Sequence, residues 1–172
     1  YNWNGTNFSL YDDSLVAMYN LDNISALGEN STRVIDLRGG DNNATPFGNA
    51  SPVTNGKYNG AFTFDGSGDY LNATKTGLAN GSAARTIAGW LNVTDTATVK
   101  VPFAYGVCNF DGLQGGANDG KAFGVYLNGD EALNFWGCGD GPDFPTGATV
   151  SVGVWHHVLA TYDGTNVRVY LD

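Results

Sequence analysis

Hydrophobic and polar positions alternate most clearly over the last eighteen residues of the chain. Val167, Val169 and Leu171 alternate with more polar residues, which is the period of a strand with one buried face. The segment 155–162 is rich in aromatic and β-branched residues, and 163–166 supplies the residues of a tight turn. The pattern therefore predicts a β-hairpin over 155–172.

Short apolar or alternating runs recur through the rest of the chain, separated by glycine-rich turns. No segment of ten or more residues has a helical period, and there is no internal repeat. Many short strands joined by such turns are typical of an all-β sandwich. Segments 15–21 and 85–92 are apolar on both faces and are therefore predicted as central strands. A second hairpin is predicted from 60–64 and 70–73 around the turn 65–69, and a meander from 101–107, 122–127 and 132–136. The remaining predicted strands are 33–37 and a weak strand at 45–47.

Composition excludes several functional classes. The 172 residues are 42% hydrophobic and 15% charged, which fits one globular domain. The net charge of -9 and the absence of a basic stripe predict a surface that repels nucleic acid and anionic membranes and attracts cations such as Ca²⁺. No apolar run approaches the length of a membrane span, so we expect no direct membrane insertion. Because the first residue is Tyr1, we expect the chain to be a piece of a longer protein.

Nine Asn-X-Ser/Thr acceptors of N-glycosylation occur, all within the first 94 residues. A β-protein rich in Asn, Ser and Thr produces some of these by chance, but nine in one half indicate real glycosylation at several. The sequence therefore predicts an extracellular location, with the second half of the chain left bare for contacts. The acceptors are Asn4, Asn7, Asn23, Asn30, Asn43, Asn49, Asn72, Asn80 and Asn92.

The two cysteines, Cys108 and Cys138, fall at the same end of the predicted meander. A bridge between them would close a loop of about 30 residues, which contributes roughly 3–4 kcal/mol in the chain-entropy model. The alternative is a pair of buried free thiols. A secreted context favours the disulfide.

Four segments carry a family resemblance: LVAMYNLD at 15–22, GAFTFDGSGDYLN at 60–72, RTIAGWLNV at 85–93 and WHHVLATYDGTNVRVYLD at 155–172. Their succession resembles the LamG-like jelly-roll domain of the concanavalin A-like lectin and glucanase fold. The resemblance covers 14–172 and leaves 1–13 as a linker, whose dense acceptor sites resemble archaeal surface proteins. It implies two curved antiparallel sheets, frequent Ca²⁺ binding, and roles in carbohydrate recognition or adhesion within large surface proteins.

In the family that this chain resembles, further strands follow the segment VRVYLD. The final one of these strands lies beside the first strand of the domain. We therefore expect an all-β, two-sheet antiparallel jelly-roll sandwich that lacks its final strand within this chain. The unpaired edge at 15–21 would then be covered from outside these residues. The continuing polypeptide or a neighbouring subunit would supply that strand.

The chain has no recognisable catalytic constellation. Glycoside hydrolysis needs two carboxyl groups about 5–10 Å apart, and hydrolases of this fold carry them as Glu-x-Asp-x-Glu. The two glutamates here, Glu29 and Glu131, do not have that spacing. His156 and His157 are neighbours on a predicted strand, so they face opposite ways and are interpreted as framework residues. We predict that the protein is not an enzyme.

Acidic loops are the candidates for calcium binding. The segment 65–69 places oxygen ligands at alternate positions, but it lacks the distal glutamate of an EF-hand loop. Its alternative interpretation is a turn whose aspartates cap backbone amides. Family members often hold Ca²⁺ with loop carbonyls and acids near the start of the domain. The candidate ligands are Asp22, Asp36, Asp41, Asp65 and Asp69.

Two polar loops at one end of the meander would form a second candidate site. Planar aromatic rings stack on sugar rings while Asn and Asp bind hydroxyl groups, so this mixture suits a carbohydrate. The alternative is a pair of hydrophilic loops whose tryptophan packs inward. The candidate binding residues are Asn109, Phe110, Asp111, Asn118, Asp119, Trp136, Asp140 and Asp143.

Two functions fit these features. The first is a non-catalytic module that binds glycans or mediates adhesion within a secreted, N-glycosylated cell-surface protein. The second is a structural subunit of a surface layer or filament, assembled with neighbouring surface-protein subunits by strand complementation. Function depends on sites and not on folds, so the fold alone does not decide between them.

Overall fold

The computed structural model describes residues 2–4, 6–7, 11–39, 41–74, 76–95, 97–106, 122–137 and 143–172. These residues form thirteen short strands and one three-residue 3-10 helix, Ser25–Leu27. Among them, no helix is long and apolar enough to cross a bilayer. Backbone contacts divide the chain into two compact units, Tyr1–Leu78 and Ala79–Asp172, and each is described by itself.

The first unit is built from antiparallel pairs of short strands. β1 pairs with β2, β3 with β6, and β4 with β5. The predicted strand at 45–47 is confirmed as part of β3. The six strands are β1 (Asn2–Trp3), β2 (Thr6–Asn7), β3 (Ala44–Phe47), β4 (Ser51–Val53), β5 (Ala61–Thr63) and β6 (Tyr70–Ala73).

Strands β3 to β6 form two antiparallel pairs, with the pair β4–β5 following the pair β3–β6 along one two-stranded arm. The ladder of this arm is interrupted between the two pairs. Phe47 lies opposite Tyr70 on one side of the interruption, and Ser51 lies opposite Thr63 on the other. The segment 64–69 is therefore an irregular insertion along the arm and not the tip of a hairpin. The prediction that 60–64 and 70–73 pair with each other is wrong, because each pairs with an earlier strand.

Residues 15–21 form no strand, and the prediction of a central strand there is wrong. The N–H of Met18 donates to the carboxylate of Asp36 at 3.0 Å, and its carbonyl accepts from the N–H of Leu37 at 2.8 Å. Leu21 has φ of 61°, which breaks an extended backbone. The carboxylate of Asp36 and the backbone N–H of Leu37 thus provide hydrogen-bond partners that a neighbouring strand would otherwise provide.

The predicted strand at 33–37 is reduced to two isolated bridges. Arg33 pairs with Asn30 across a tight turn, and Val34 exchanges two backbone hydrogen bonds with Ala44. Val34 is 1% exposed, so this bridge holds the segment firmly against β3.

The second unit is an antiparallel sandwich of two sheets. One sheet has the order β11-β10-β9-β8 and the other has the order β13-β12-β7. The closing hairpin and the meander are confirmed, whereas the expected central strand β7 lies at the edge of its sheet within the described residues. The strands are β7 (Arg85–Asn92), β8 (Lys100–Gly106), β9 (Ala122–Leu127), β10 (Ala132–Trp136), β11 (Phe144–Thr149), β12 (Trp155–Tyr162) and β13 (Val167–Leu171).

One hydrophobic core lies between these two sheets. Val125, Val158 and Ala160 are fully buried, and aromatic rings from β9 and β10 fill the space around them. Full burial of a Val, Leu or Phe side chain stabilises a fold by about 1.5–3 kcal/mol. The buried members are Leu91, Val93, Phe123, Val125, Leu127, Leu133, Phe135, Val150, Val158 and Ala160.

Both edges of the four-stranded sheet are unsuited to further strand pairing. β8 contains Pro102, and β11 contains Pro145. A register shift also occurs in each edge pairing, between β8 and β9 and between β10 and β11. Proline lacks the N–H of a ladder, and an irregular register bends the edge, so both features oppose addition of another strand.

Candidate functional site

The candidate binding residue Trp136 lies on the face of the four-stranded sheet that points away from the core. Because Val125 is buried in the core, its neighbours Gly124 and Tyr126 point to the opposite face. Trp136 lies opposite Gly124, and Asn134 lies opposite Tyr126. These four positions therefore share one face, at the centre of the sheet.

The residue opposite Trp136 on this face is a glycine. Gly124 pairs with Ala104 of β8, and a Cβ added at Gly124 would lie 2.4 Å from the Cβ of Ala104. Only glycine allows β8 and β9 to approach so closely at this point. The consequence is a position without a side chain opposite Trp136, and Gly124 is itself buried.

Polar groups complete this face. Asp143 accepts a hydrogen bond from the N–H of Gly137 at 2.7 Å, which holds its carboxylate at the end of β10. Burial raises the pKa of Tyr126, and the negative charge of Asp143 raises it further. The carboxylate of Asp143 therefore disfavours ionisation of the Tyr126 hydroxyl. Asn134 is 3% exposed and donates its amide to the carbonyl of Ala132 at 2.8 Å. Aromatic rings, a carboxylate and an amide thus meet in one region.

The structure brings together the two predicted binding residues that it describes, Trp136 and Asp143. Tyr126 and Asn134 belong to the same face but were missed, although strand alternation from Trp136 points to both. The remaining predicted residues lie outside the described part of the chain, and so do the two cysteines. They are Asn109, Phe110, Asp111, Asn118, Asp119 and Asp140, with Cys108 and Cys138.

The acidic segment 65–69 is held by its own hydrogen bonds. Asp65 accepts from the N–H of Ser67, and Asp69 accepts from the N–H of Asp65, both at 2.7 Å. The side-chain amide of Asn49 also donates to Asp65 at 3.1 Å and lowers the pKa of that carboxyl group. Asp65 and Asp69 therefore cap backbone amides of their own segment, although this segment is not a hairpin turn.

Asp36 is the most buried of the candidate calcium ligands, at 1% exposure. Its Oδ1 accepts from the N–H groups of Met18 and Arg38, at 3.0 and 3.1 Å. Its Oδ2 is buried and has no hydrogen-bond partner among the described residues. Burial, followed by the charge of Asp36, raises the pKa of Tyr19 to about 12. Asp36 thus has one oxygen available to a cation.

The five candidate ligands do not converge on one point. Asp22 instead accepts from the N–H of Gly60 at 2.9 Å, and Asp65 and Asp69 bind the loop that contains them. In the part of the chain that the structure describes, no three His, Cys, Asp or Glu side chains form a metal-binding group. A calcium site here would therefore depend on backbone carbonyl oxygens around Asp36.

The two neighbouring histidines face opposite sides of β12, as predicted. His156 is buried, and its Nε2 accepts from the N–H of Ser151 at 3.1 Å, so the ring proton resides on Nδ1. Nδ1 then donates to Asp172 at 2.7 Å. His157 lies on the outer face, where its ring is 5.2 Å from that of Trp90. His156 therefore has a framework role, joining β12 to two neighbouring segments.

Glu29, one of the two glutamates considered for catalysis, also has a structural role. It is 4% exposed, and its carboxylate accepts from the N–H groups of Ile24 at 2.7 Å and Ile35 at 3.3 Å. These bonds hold the short helix against the segment that follows it. A carboxylate committed in this way is a poor acid or base for hydrolysis.

Most of the glycosylation acceptors are accessible. Asn43 is half-buried and accepts from the N–H of Asp36 at 2.9 Å, and the side chain of Asn7 lies outside the description. The exposed acceptors are Asn4, Asn23, Asn30, Asn49, Asn72, Asn80 and Asn92.

The architecture is that of an all-β antiparallel jelly-roll sandwich. The family model Laminin_G_3, described as the concanavalin A-like lectin/glucanases superfamily, matches residues 65–172. The chain belongs to this superfamily, as the sequence motifs predicted. Among curated proteins, none has a significantly similar sequence.

A solved structure shares the fold. It contains residues 221–444 of an S-layer domain-containing protein from Clostridium thermocellum. The match covers 90% of this chain and 67% of that chain, with a TM-score of 0.54 and 21% sequence identity. At this identity the similarity concerns the fold alone.

Proposed function

We propose that the chain is a non-catalytic carbohydrate-binding module of an extracellular surface protein. The observation that carries this proposal is the face of the four-stranded sheet opposite the core, where the half-buried residues Trp136 and Tyr126 adjoin the buried Gly124, which has no side chain. An aromatic ring at such a position can stack on a pyranose, and the carboxylate of Asp143 can accept its hydroxyl groups. Membership of a superfamily named for lectins and glucanases supports a glycan ligand.

Binding without hydrolysis is proposed because Glu29 and His156, two of the residues considered for catalysis, hold the fold. Glu29 accepts backbone N–H groups, and both ring nitrogens of His156 are bonded. Asp143 is likewise bonded to a backbone N–H, which suits a group that orients a ligand. Incubation with the glycan that binds best should therefore release no reducing ends.

A glycan array, with and without Ca²⁺, tests the proposal and should identify a restricted set of ligands. Trp136→Ala is expected to weaken binding of the best ligand by about 2 kcal/mol, or nearly thirtyfold, as for a buried aromatic anchor. Trp90→Thr, on the outer face of the other sheet, is the matched control and should keep full affinity. Circular dichroism and urea unfolding verify that both variants fold. An empty array, or equal affinity of Trp136→Ala and the parent, would refute the proposal.

Calcium is proposed as a structural ligand of the loops around Asp36, where the buried Oδ2 has no hydrogen-bond partner among the described residues. An ion that binds only the folded state stabilises it by about 2.7 kcal/mol at a hundredfold excess over Kd. The unfolding temperature should therefore rise in calcium relative to EDTA. Asp36→Asn should abolish this rise, whereas Asp65→Asn should retain it. Identical unfolding curves in calcium and EDTA would exclude the ion.

A second candidate function is a building block of a surface layer. No acceptor site follows Asn92, and the bare half exposes apolar side chains that include Val99 at 63% and Val154 at 48%. The S-layer domain-containing protein of similar fold supports this candidate. Pro102 and Pro145 oppose strand addition at the four-stranded sheet, so strand complementation would use β7 or β13, which are the edges of the other sheet among the described residues and contain no proline. An empty glycan array combined with ordered assemblies in electron micrographs would favour this function.

A further inference from the structure

Two of the three acceptor sites that lie within strands share an unusual neighbour. Asn72 in β6 follows Tyr70 by two residues, and Asn92 in β7 follows Trp90 by two residues. Side chains two apart on a strand point to the same face, about 6.6–6.8 Å from each other. Tyr70 is 50% exposed and Trp90 is 39% exposed. Each asparagine thus stands beside a large aromatic ring that is open to solvent.

The ring beside Asn72 belongs to a stacked pair. Phe47 lies opposite Tyr70 in the β3–β6 register, with ring centres 4.8 Å apart and planes 10° from parallel. Thr45 lies opposite Asn72 and is exposed, so no bulky side chain separates the asparagine from the rings. Phe47 is itself 41% exposed. The pair forms an apolar surface next to the attachment atom.

Asn92 has aromatic neighbours along and across its sheet. Trp90 precedes it on the same face, and Trp155 lies directly opposite it on β12. The amide of Asn92 donates to the carbonyl of Gly153 at 3.4 Å. A side-chain amide has two N–H donors, and glycosylation consumes one of them. Attachment of a sugar at Asn92 is therefore compatible with this hydrogen bond.

We propose that Asn72 and Asn92 carry N-linked glycans whose first sugars pack against Tyr70 and Trp90. A pyranose presents an apolar face of C–H groups, and covering an exposed aromatic ring with it removes apolar area from water. The protein's own glycans thereby cover two aromatic surfaces that would otherwise favour association. The inference concerns covalently attached sugars, so it does not depend on the proposed binding of external glycans.

Other acceptors lack this arrangement. Asn80 follows Leu78 by two residues and lies outside the strands. Asn49 follows Phe47 by two residues, but β3 ends at Phe47 and Gly48 has φ of 69°, so strand alternation does not extend to Asn49. The side-chain amide of Asn49 donates instead to Asp65. Asn72 and Asn92 are thus distinct from these loop sites.

The test uses protein produced in a secretory host that attaches N-glycans. Glycopeptide mass spectrometry should show occupancy at both asparagines. For Asn92, a double-mutant cycle combines Trp90→Thr with Thr94→Ala, which removes the acceptor signal but keeps the asparagine. The loss in the folding equilibrium constant caused by Trp90→Thr should be about threefold to tenfold larger with the glycan than without it. Tyr70→Thr combined with Asn72→Gln should give a coupling of the same sign.

Ser82→Ala removes the acceptor signal at Asn80 and is the control, because its glycan has no aromatic neighbour two residues before it. Loss of that glycan should leave the unfolding midpoint unchanged. A direct signature of the contact is an upfield ring-current shift of the first sugar's protons at Asn92, which Trp90→Thr should abolish. Unoccupied asparagines, or a coupling below about 1.5-fold in both cycles, would overturn the proposal.

Discussion

Replacing Phe123 by alanine is expected to lower the free energy of unfolding by about 3–5 kcal/mol, the cost of removing a large buried ring. Phe123 is 2% exposed, and its ring centre lies 5.5 Å from that of Phe135 and 5.8 Å from that of Tyr105. The guanidinium of Arg85 lies 5.1 Å from the same ring and 4.9 Å from the ring of Tyr162. Urea titration monitored by circular dichroism measures the loss.

Arg85 increases the expected effect because its guanidinium lies against the rings of Phe123 and Tyr162. Its Nε is buried without a hydrogen-bond partner among the described residues, and one terminal nitrogen donates to the carbonyl of Ala79 at a long 3.4 Å. Removing the ring of Phe123 leaves this cation beside a cavity. Phe123→Leu keeps most of the volume and should cost less than half as much. A loss below about 1 kcal/mol for Phe123→Ala would show that the core relaxes around the vacancy.

The strands of the sandwich were predictable where alternation and strand-forming residues agree. Segments 85–92, 122–127, 132–136 and 155–162 begin and end as predicted, since each has a continuous pattern bounded by turn residues. β11 was missed because Pro145 and Gly147 interrupt its pattern. Its pairing with β10 stabilises it as a strand, and that contact is not visible in local sequence.

Strand pairings and backbone partners were less predictable than strand positions. The apolar run 15–21 has the composition of a buried strand, yet Asp36, eighteen residues after Met18, accepts its backbone N–H. The turn chemistry of 65–69 indicated a hairpin, but its carboxylates bond across the arm to Asn49. Both outcomes depend on contacts between distant segments, which periodicity does not report.

The candidate binding face was predictable in part. Trp136 and Asp143 were identified by residue type, and strand alternation extends from Trp136 to Asn134. The pairing of Gly124 with Ala104 required the register between β8 and β9, which sequence alone does not supply. The buried oxygen of Asp36 likewise depends on segments that meet only in the folded chain.

That pairing leads to the second large expected effect, a loss of about 2–3 kcal/mol in unfolding free energy for Gly124→Ala. The added Cβ would lie 2.4 Å from the Cβ and 2.6 Å from the Cα of Ala104, and 2.6 Å from the carbonyl oxygen of Phe103. All three atoms belong to β8 and two are backbone atoms, so the strand itself must move. Because Gly124 lies opposite Trp136, this movement should also weaken glycan binding.

Gly89→Ala is the matched control for Gly124→Ala, since both glycines lie within strands and neither has positive φ. A Cβ at Gly89 would meet the ring of Phe103 at 3.1 Å, and a side chain can turn where a backbone cannot. Both Gly→Ala substitutions lower the entropy of the unfolded chain by the same amount. The difference between their unfolding free energies therefore isolates the steric cost in the folded state. Equal unfolding free energies for the two variants would show that β8 moves freely, and the position opposite Trp136 would then not require glycine.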